Sequence, residues 1–390
     1  MSENVHMFVH RRSRLVHVKQ SVSFELPGNR IGTLRRAIEK SLLDLGGRAG
    51  GGILFVCGSV QRQVQDASES VREMDLEFPV LIAGGAGVFT ERAAYDQEEA
   101  LVGLLWHGGH SKPFSVNRTL ESPIANKVAE AISKSATTTT PTIVFASAEL
   151  VNSAEVFETF AGIPVFGGGV LDRSGVAIVA NGEITSADIV GLAIHNAGSA
   201  VVRVSPGCMP LGRPEPITSM ESTLLLSIRG KPALDVLREQ ASRMAGQRPI
   251  VLAIELESES GNLRRVMLRG IRGIHETRKG IILSDHVHPG TNVTFAVIDA
   301  GAAAAHLETT ARDAGRRTRG GMPRFGMYID CAGRGTQLYG APEVDAHILR
   351  RAFPRLPIVG ITLAYEIGPG PKGAAAHMYS GVLCLVYAPS

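Results

Sequence analysis

Short, wholly apolar runs ended by glycine alternate along this chain with stretches whose apolar positions recur every three or four residues. Ile31, Leu34, Ala37, Ile38, Leu42, Leu43 and Leu45 share one helical face, and Gly46-Gly47 supplies the stop. Ile53-Leu54-Phe55-Val56-Cys57 follows a triple glycine. A run this short that is apolar on both faces predicts a buried strand. Val60 to Met74 predicts a helix, Phe78 to Ile82 a second strand ending at Gly84-Gly85-Ala86-Gly87, and Leu101 to Trp106 a third. An edge strand is expected at His17 to Phe24.

The same order returns twice. Thr142 to Ser147 is a strand, Ser153 to Phe160 a short helix, and Ile163 to Gly169 a strand running into glycine. Ala177-Ile178-Val179 and Ile189 to Ile194 read as a hairpin around Asn181-Gly182, a strong two-residue turn signal. The third copy is Phe325 to Ile329, a helix between Pro342 and Phe353, then Leu356 to Gly360 and Val382 to Tyr387. The exits match (PVLIAGG, PVFGGG, PIVG), and so do the closing strands (LVGLLW, IVGLAI, SGVLCLV). In each copy, helix-length sequence separates the first strand from the Pro-led strand, which permits a parallel crossover. Between the second and third copies the pattern predicts a strand at Ala200 to Val204, a hairpin from Thr218 to Arg229, a helix from Lys231 to Ala245, strands at Ile250 to Leu256 and Val266 to Ile271 around a Ser260-Gly261-Asn262 turn, and a helix from Ala300 to Ala314. The fold class is α/β: two mixed-sheet domains, 25–204 and 205–390, built from strand–helix–strand pseudo-repeats. The glycines that end the Pro-led strands either let backbone approach a ligand or simply make tight turns.

Composition changes this picture little. At 390 residues, 44% hydrophobic and 20% charged, the chain is of ordinary globular character, with a net charge of only +3. Its arginines are scattered apart from a cluster at Arg316, Arg317 and Arg319, and no basic stripe interleaved with aromatics points to nucleic acid. The N-terminus has charges throughout and no apolar core of a signal peptide, and no apolar run is long enough to span a membrane. Cys57, Cys208, Cys331 and Cys384 lack CxxC spacing and suit reduced thiols, so the expected location is the cytoplasm.

Candidate chemistry concentrates in the third copy. Cys331-Ala332-Gly333-Arg334-Gly335 follows its first strand, and Glu366-Ile367-Gly368 and His377-Met378-Tyr379 follow later. Flanking glycines would leave the Arg334 guanidinium accessible to a carboxylate or phosphate. The alternative is an internal pair between Arg334 and Glu366. Cys331 with His377 as base would make a nucleophile, but a free cysteine is more often a small buried apolar residue. Glu366 suits an ammonium group or the cap of a turn. Asp285, His286 and His288 lack a third ligand partner, so no metal is assigned, and no cofactor motif such as Walker A, GxGxxG, HExxH or GxSxG occurs.

These residues carry a family likeness. Cys331-x-Gly333-Arg334-Gly335, Phe353-Pro354, Pro357-Ile358-x-Gly360, Glu366-Ile367-Gly368-Pro369 and His377-x-Tyr379-Ser380-Gly381-Val382 resemble the FIST domain, a sensory module of bacterial signalling proteins and some F-box proteins. Gly207-Cys208-x-Pro210-x-Gly212 with Gly230-Lys231-Pro232 is similar to the join between the family's two halves, and Gly167-Gly168 and Asn181-Gly182-Glu183 to the end of its N-terminal half. The resemblance implies a stand-alone sensor of small ligands, amino acids or related carboxylates, acting with a signalling protein partner. The convergence of these residue types at strand ends places the expected ligand site at Cys331, Gly333, Arg334, Gly335, Glu366, Gly368, His377 and Tyr379. The resemblance brings no established catalysis. A thiol-dependent enzyme using Cys331 and a protein-interaction scaffold are the alternatives. Tyr365 stands where the family usually has glycine, so a ring is expected to narrow or reshape the pocket.

Overall fold

A computed structural model of the chain describes residues 19–388 except 29, 172, 243–247, 257–264 and 317–320. The Ser260-Gly261-Asn262 turn falls outside the described residues. The chain is a mixed α/β protein whose three copies each build the centre of one six-stranded sheet. In the first sheet the order is Ser21–Pro27, Ala100–Trp106, Gly51–Cys57, Val80–Gly85, Val176–Ala180, Glu183–Thr185. In the second it is His110–Val116, Ile189–His195, Thr142–Ser147, Val165–Val170, Glu366–Gly370, Gly373–His377. In the third it is Ala200–Pro206, Ser380–Tyr387, Pro323–Cys331, Ile358–Leu363, Gly87–Thr90, Ala94–Asp96. In every sheet the first and Pro-led strands are parallel and all other pairings antiparallel. A helical segment on each crossover lets the parallel strands pair.

The last two strands of each sheet come from a different copy. Copy one lends its hairpin to the third sheet, copy two to the first, and copy three to the second. This cyclic exchange ties the three copies together and crosses the division expected at 204/205. It also corrects the hairpin around Asn181-Gly182. The turn is there, with φ of 51° and 74° at its two residues, but its second strand is Glu183–Thr185. Ile189–His195 instead pairs with Thr142–Ser147, because its apolar run from Ile189 to Ile194 suits a central strand.

Alternation along the first strands turns Ile53, Phe55 and Cys57, Ile143 and Phe145, and Phe325, Met327 and Ile329 toward one common core. Phe55 and Phe145 meet edge to face at 6.0 Å, and Trp106 stacks on Phe325 at 5.4 Å. Each fully buried phenyl contributes about 2–3 kcal/mol. The opposite faces are covered by helices, as Leu34–Asp44 and Val60–Arg72 cover the first sheet. Residues 208–298 form a separate, antiparallel sheet. Its strands Asn292–Ile298, Glu215–Glu221, Leu224–Ile228, Gly280–Leu283, Arg265–His275 and Ile250–Leu256 pair in sequence, and the last pairs with the first, so they close a ring. Helix Ala233–Ala241 packs into its apolar core.

Glycine is required along the second copy's Pro-led strand, both against its own neighbour and against the third copy. A Cβ on Gly167 would lie 1.8 Å from the Val144 carbonyl oxygen, at a φ of 152°. A Cβ on Gly169 would strike the Tyr365 ring at 2.1 Å. That gap decides where the unusual tyrosine goes. Tyr365 lies over Gly169, meets Phe157 edge to face at 6.2 Å, and donates to the Ser147 carbonyl at 3.2 Å. It joins the second sheet's outer core rather than projecting into a pocket.

Candidate functional site

The strand Pro323–Cys331 ends by turning back on itself, with the Arg334 N–H donating to the Cys331 carbonyl at 2.7 Å. Gly335, with φ of 55°, then starts the short helix Gly335–Tyr339. This turn drives Arg334 inward, so its side chain is fully buried and not accessible as the flanking glycines suggested. Its internal partner is Asp345, not Glu366. Nε and Nη2 reach the two Asp345 oxygens at 2.9 and 3.1 Å, a two-pronged pairing. Nη2 also donates to Tyr339 Oη at 2.8 Å and Nη1 to the Ser205 carbonyl at 3.3 Å. Asp345 further accepts from Tyr328 at 2.9 Å and Tyr339 at 2.8 Å. Burial opposes the charge on Arg334, but Tyr328, Asp345 and Tyr339 outweigh it, and its pKa rises further.

Beside this saturated pair lies a group of unsatisfied acids. Asp330 and Glu366 are both buried, and Asp330 Oδ1 and both Glu366 oxygens have no hydrogen-bond partner. The Cys331 thiol and the Ser380 N–H approach Glu366 without reaching hydrogen-bond geometry. Burial, then mutual repulsion with Asp330, pushes the Glu366 pKa well above the carboxylate range; burial and Asp345 do the same to Asp330. Burial and Glu366 likewise raise the Cys331 thiol.

His377 faces Glu366 across the hairpin in register, yet no hydrogen bond joins it to Cys331. Its Nε2 donates to the Pro369 carbonyl at 3.0 Å, and Nδ1 is unpartnered. Burial and then Arg269 lower its pKa to about 4. Gly333 lies under the Tyr379 ring, where a Cβ would come within 3.0 Å, and Gly368 packs against Val382 and Val204. The structure thus brings Cys331, Arg334 and Glu366 into one buried cluster and aims His377 elsewhere. A nucleophile needs a thiolate, and nothing here supplies one. Iodoacetamide at mildly alkaline pH is expected to leave Cys331 unlabelled in the folded protein and to label it in strong denaturant. Rapid labelling of the native protein would restore the thiol-enzyme reading.

Sequence reasoning missed Asp345, Asp330, Tyr328, Tyr339 and Ser205. Asp330 carried a signal: a carboxylate directly after the apolar run Phe325 to Ile329, inside a wholly buried stretch of strand. Of the other histidine pair, His286 and His288 stand edge to face at 4.9 Å, His286 contacts the Ser222 carbonyl at 2.6 Å, and Asp285 pairs with Arg269 at 3.4 Å.

Above the cluster is a cavity of about 440 Å³. Its lining comes from all three Pro-led strand ends: Gly84 to Ala86, Gly169 to Leu171, and Thr362 to Ala364. Ala332, the residue after Cys331, completes the wall on the acid side, and Val60 and Gln61 open the helix opposite. The strand ends are stitched together by Ala86 N–H to the Thr362 carbonyl at 2.9 Å and Ala364 N–H to the Gly169 carbonyl at 3.0 Å. Among the described residues, no lysine or arginine lines the cavity.

Residues 52–231 match the FIST N domain and residues 233–369 the FIST C domain. The chain belongs to the FIST family. Domains of this family serve sensory signal transduction and are thought to bind small ligands. The FIST match to curated proteins includes the uncharacterized protein Rv0628c of Mycobacterium tuberculosis, 28% identical over 52% of this chain and 55% of that protein. The uncharacterized protein Mb0898c of Mycobacterium bovis is 25% identical over 52% of this chain and 54% of that protein. The chain spans about half the length of these relatives. Among the described residues, no helix is long and apolar enough to cross a membrane.

Proposed function

We propose that this FIST protein is a sensor that binds a small ligand in the cavity where the three Pro-led strands end. The observation that carries this is the convergence of all three copies on one 440 Å³ space. That volume lies in the range of small-molecule sites, and strand ends in α/β sheets are where ligands seat. The cavity offers backbone groups, the Thr362 hydroxyl and apolar rim residues Val60, Leu171 and Ala364. An uncharged ligand fits such a lining better than an amino acid or carboxylate, and the Arg334 guanidinium is already taken by Asp345. Cys331, Gly333, Arg334, Gly335, Glu366, Gly368, His377 and Tyr379 then act from beneath: they hold the Ala332 wall and its buried acids in place. Four unpaired, buried cysteines support a cytoplasmic location, and the signal passes to a separate partner protein.

Scanning fluorimetry against amino acids, carboxylates and neutral heterocycles tests this reading. A ligand that binds only the folded state raises the melting temperature by mass action. We expect a neutral compound to do so, and Ala364→Trp, which fills the cavity from an exposed position, to abolish the shift. A compound that stabilises both proteins equally would place its site elsewhere.

A further inference from the structure

A second opening lies at the other end of the third sheet, where strands Pro323–Cys331 and Ile358–Leu363 begin. It is a groove of about 690 Å³ between helices Ala300–Arg316 and Val344–Ala352. Its floor is apolar: Ala311, Ile348, Phe353 and Leu356, with Met322 at the rim, 79% exposed. Its charge is one-sided. Arg312, Arg324, Arg351 and Arg355 line it, against one carboxylate, Glu308. Glu308 is bonded to Arg351. Among the described residues, Arg312 and Arg355 have no ion-pair partner.

Arg324 adds a built-in polar anchor. It is only 9% exposed, and its terminal nitrogens donate to the Ala197 and His107 carbonyls. Its Nε is buried without an acceptor. Excess guanidinium beside an apolar floor concentrates anions there. An inorganic anion would leave the floor unused, and a neutral oil would leave the arginines unmatched. Arginine's planar fork suits a carboxylate head.

We propose that this groove is a second ligand site, for a small anionic amphiphile with one carboxylate head on an apolar chain. The site is independent of the cavity above the acid cluster. Calorimetric titration with decanoate below its micellar concentration tests it, with decanol and acetate as the uncharged and tailless controls. Wild type is expected to bind decanoate and neither control with comparable affinity. The double variant Arg312→Gln/Arg355→Gln changes two exposed side chains and should keep the wild-type melting temperature while weakening decanoate at least about tenfold, the effect of about 1.4 kcal/mol. Ala364→Trp should leave decanoate binding unchanged. Equal decanoate affinity in wild type and the double variant would overturn the proposal, as would loss of binding in Ala364→Trp. Binding of an acidic peptide but not decanoate would also overturn it, in favour of a protein partner.

Discussion

Arg334→Ala is expected to destabilise the folded protein by about 3–5 kcal/mol, the usual result of stripping one partner from a buried ion pair. The side chain is 0% exposed and Asp345 4%, so neither charge can fall back on water. Removing the guanidinium leaves the Asp345 carboxylate with only the Tyr328 and Tyr339 hydroxyls. It also empties the space between the Ser205 carbonyl and helix Val344–Ala352. Urea denaturation should show a lower midpoint at unchanged slope. Arg334→Lys keeps the charge but cannot span both Asp345 oxygens and Tyr339, so it should fall between alanine and wild type. Arg334→Met/Asp345→Leu should recover much of the loss, because a buried pair replaced by apolar groups of similar size is often neutral. A loss under about 1 kcal/mol for Arg334→Ala would mean that water reaches Asp345 and that the pair is not the joint described here.

This pairing bears on what a sensor can do. Arg334 links the end of one parallel strand to the helix that crosses over to the next, and through Ser205 to the strand leading into the ring of residues 208–298. Ala332 lies two residues before it and faces the cavity. A ligand pressing on that wall acts on a saturated, directional contact rather than on a soft apolar one. Such networks have discrete arrangements, which is what a two-state response requires.

Much of this was legible in the residues. The apolar runs of the three copies gave their strands to within a few positions, and the shared order of exits and closing strands announced the repeat. The cyclic exchange of hairpins was not legible, because register between copies depends on pairings far apart in sequence. Gly87–Thr90 and Glu366–Gly370 look like ordinary local hairpins until the sheets they complete are known. The same limit applied to the site. Arg334 stood out for its flanking glycines, but those glycines serve the turn that buries it. Asp345 was hidden inside an amphipathic helix, where an acidic residue in the first turn reads as a dipole partner. Tyr365 was marked as a departure, yet its destination depended on Gly169, in another copy.

The repeat supplies its own control for the last prediction. Val88 pairs with Ile361, Val176 with Ala83 and Glu366 with Gly168. Those partners are each the fourth residue of a Pro-led strand, starting at Ile358, Val80 and Val165. The three positions are therefore equivalent, and two of them hold valine. Glu366 places an unpartnered acid where the other copies place a methyl pair. Its pKa is raised in the folded state by burial and by Asp330, so folding withholds the proton that the unfolded chain releases above its ordinary 4.5. Stability from this source must then fall as pH rises, by about 1.4 kcal/mol per pH unit for each proton withheld. His377 acts the other way. Its pKa is lowered from 6.5 to about 4, so stability from it is lost as pH drops through that interval, roughly 3 kcal/mol in all. Above 6.5 its effect is complete, and below 9.0 the cysteines of the unfolded chain stay mostly protonated. Within that window neither His377 nor the cysteines mask the slope that the raised acids impose. Wild type is expected to lose urea resistance steadily as pH rises there, while Glu366→Val loses it less steeply and is the more stable protein at the upper end. Parallel slopes would show that Glu366 finds a partner in solution. If Glu366→Val is stabilised but no longer responds to a ligand that shifts wild type, the acid is retained for sensing at a cost in stability, the trade-off expected at functional sites.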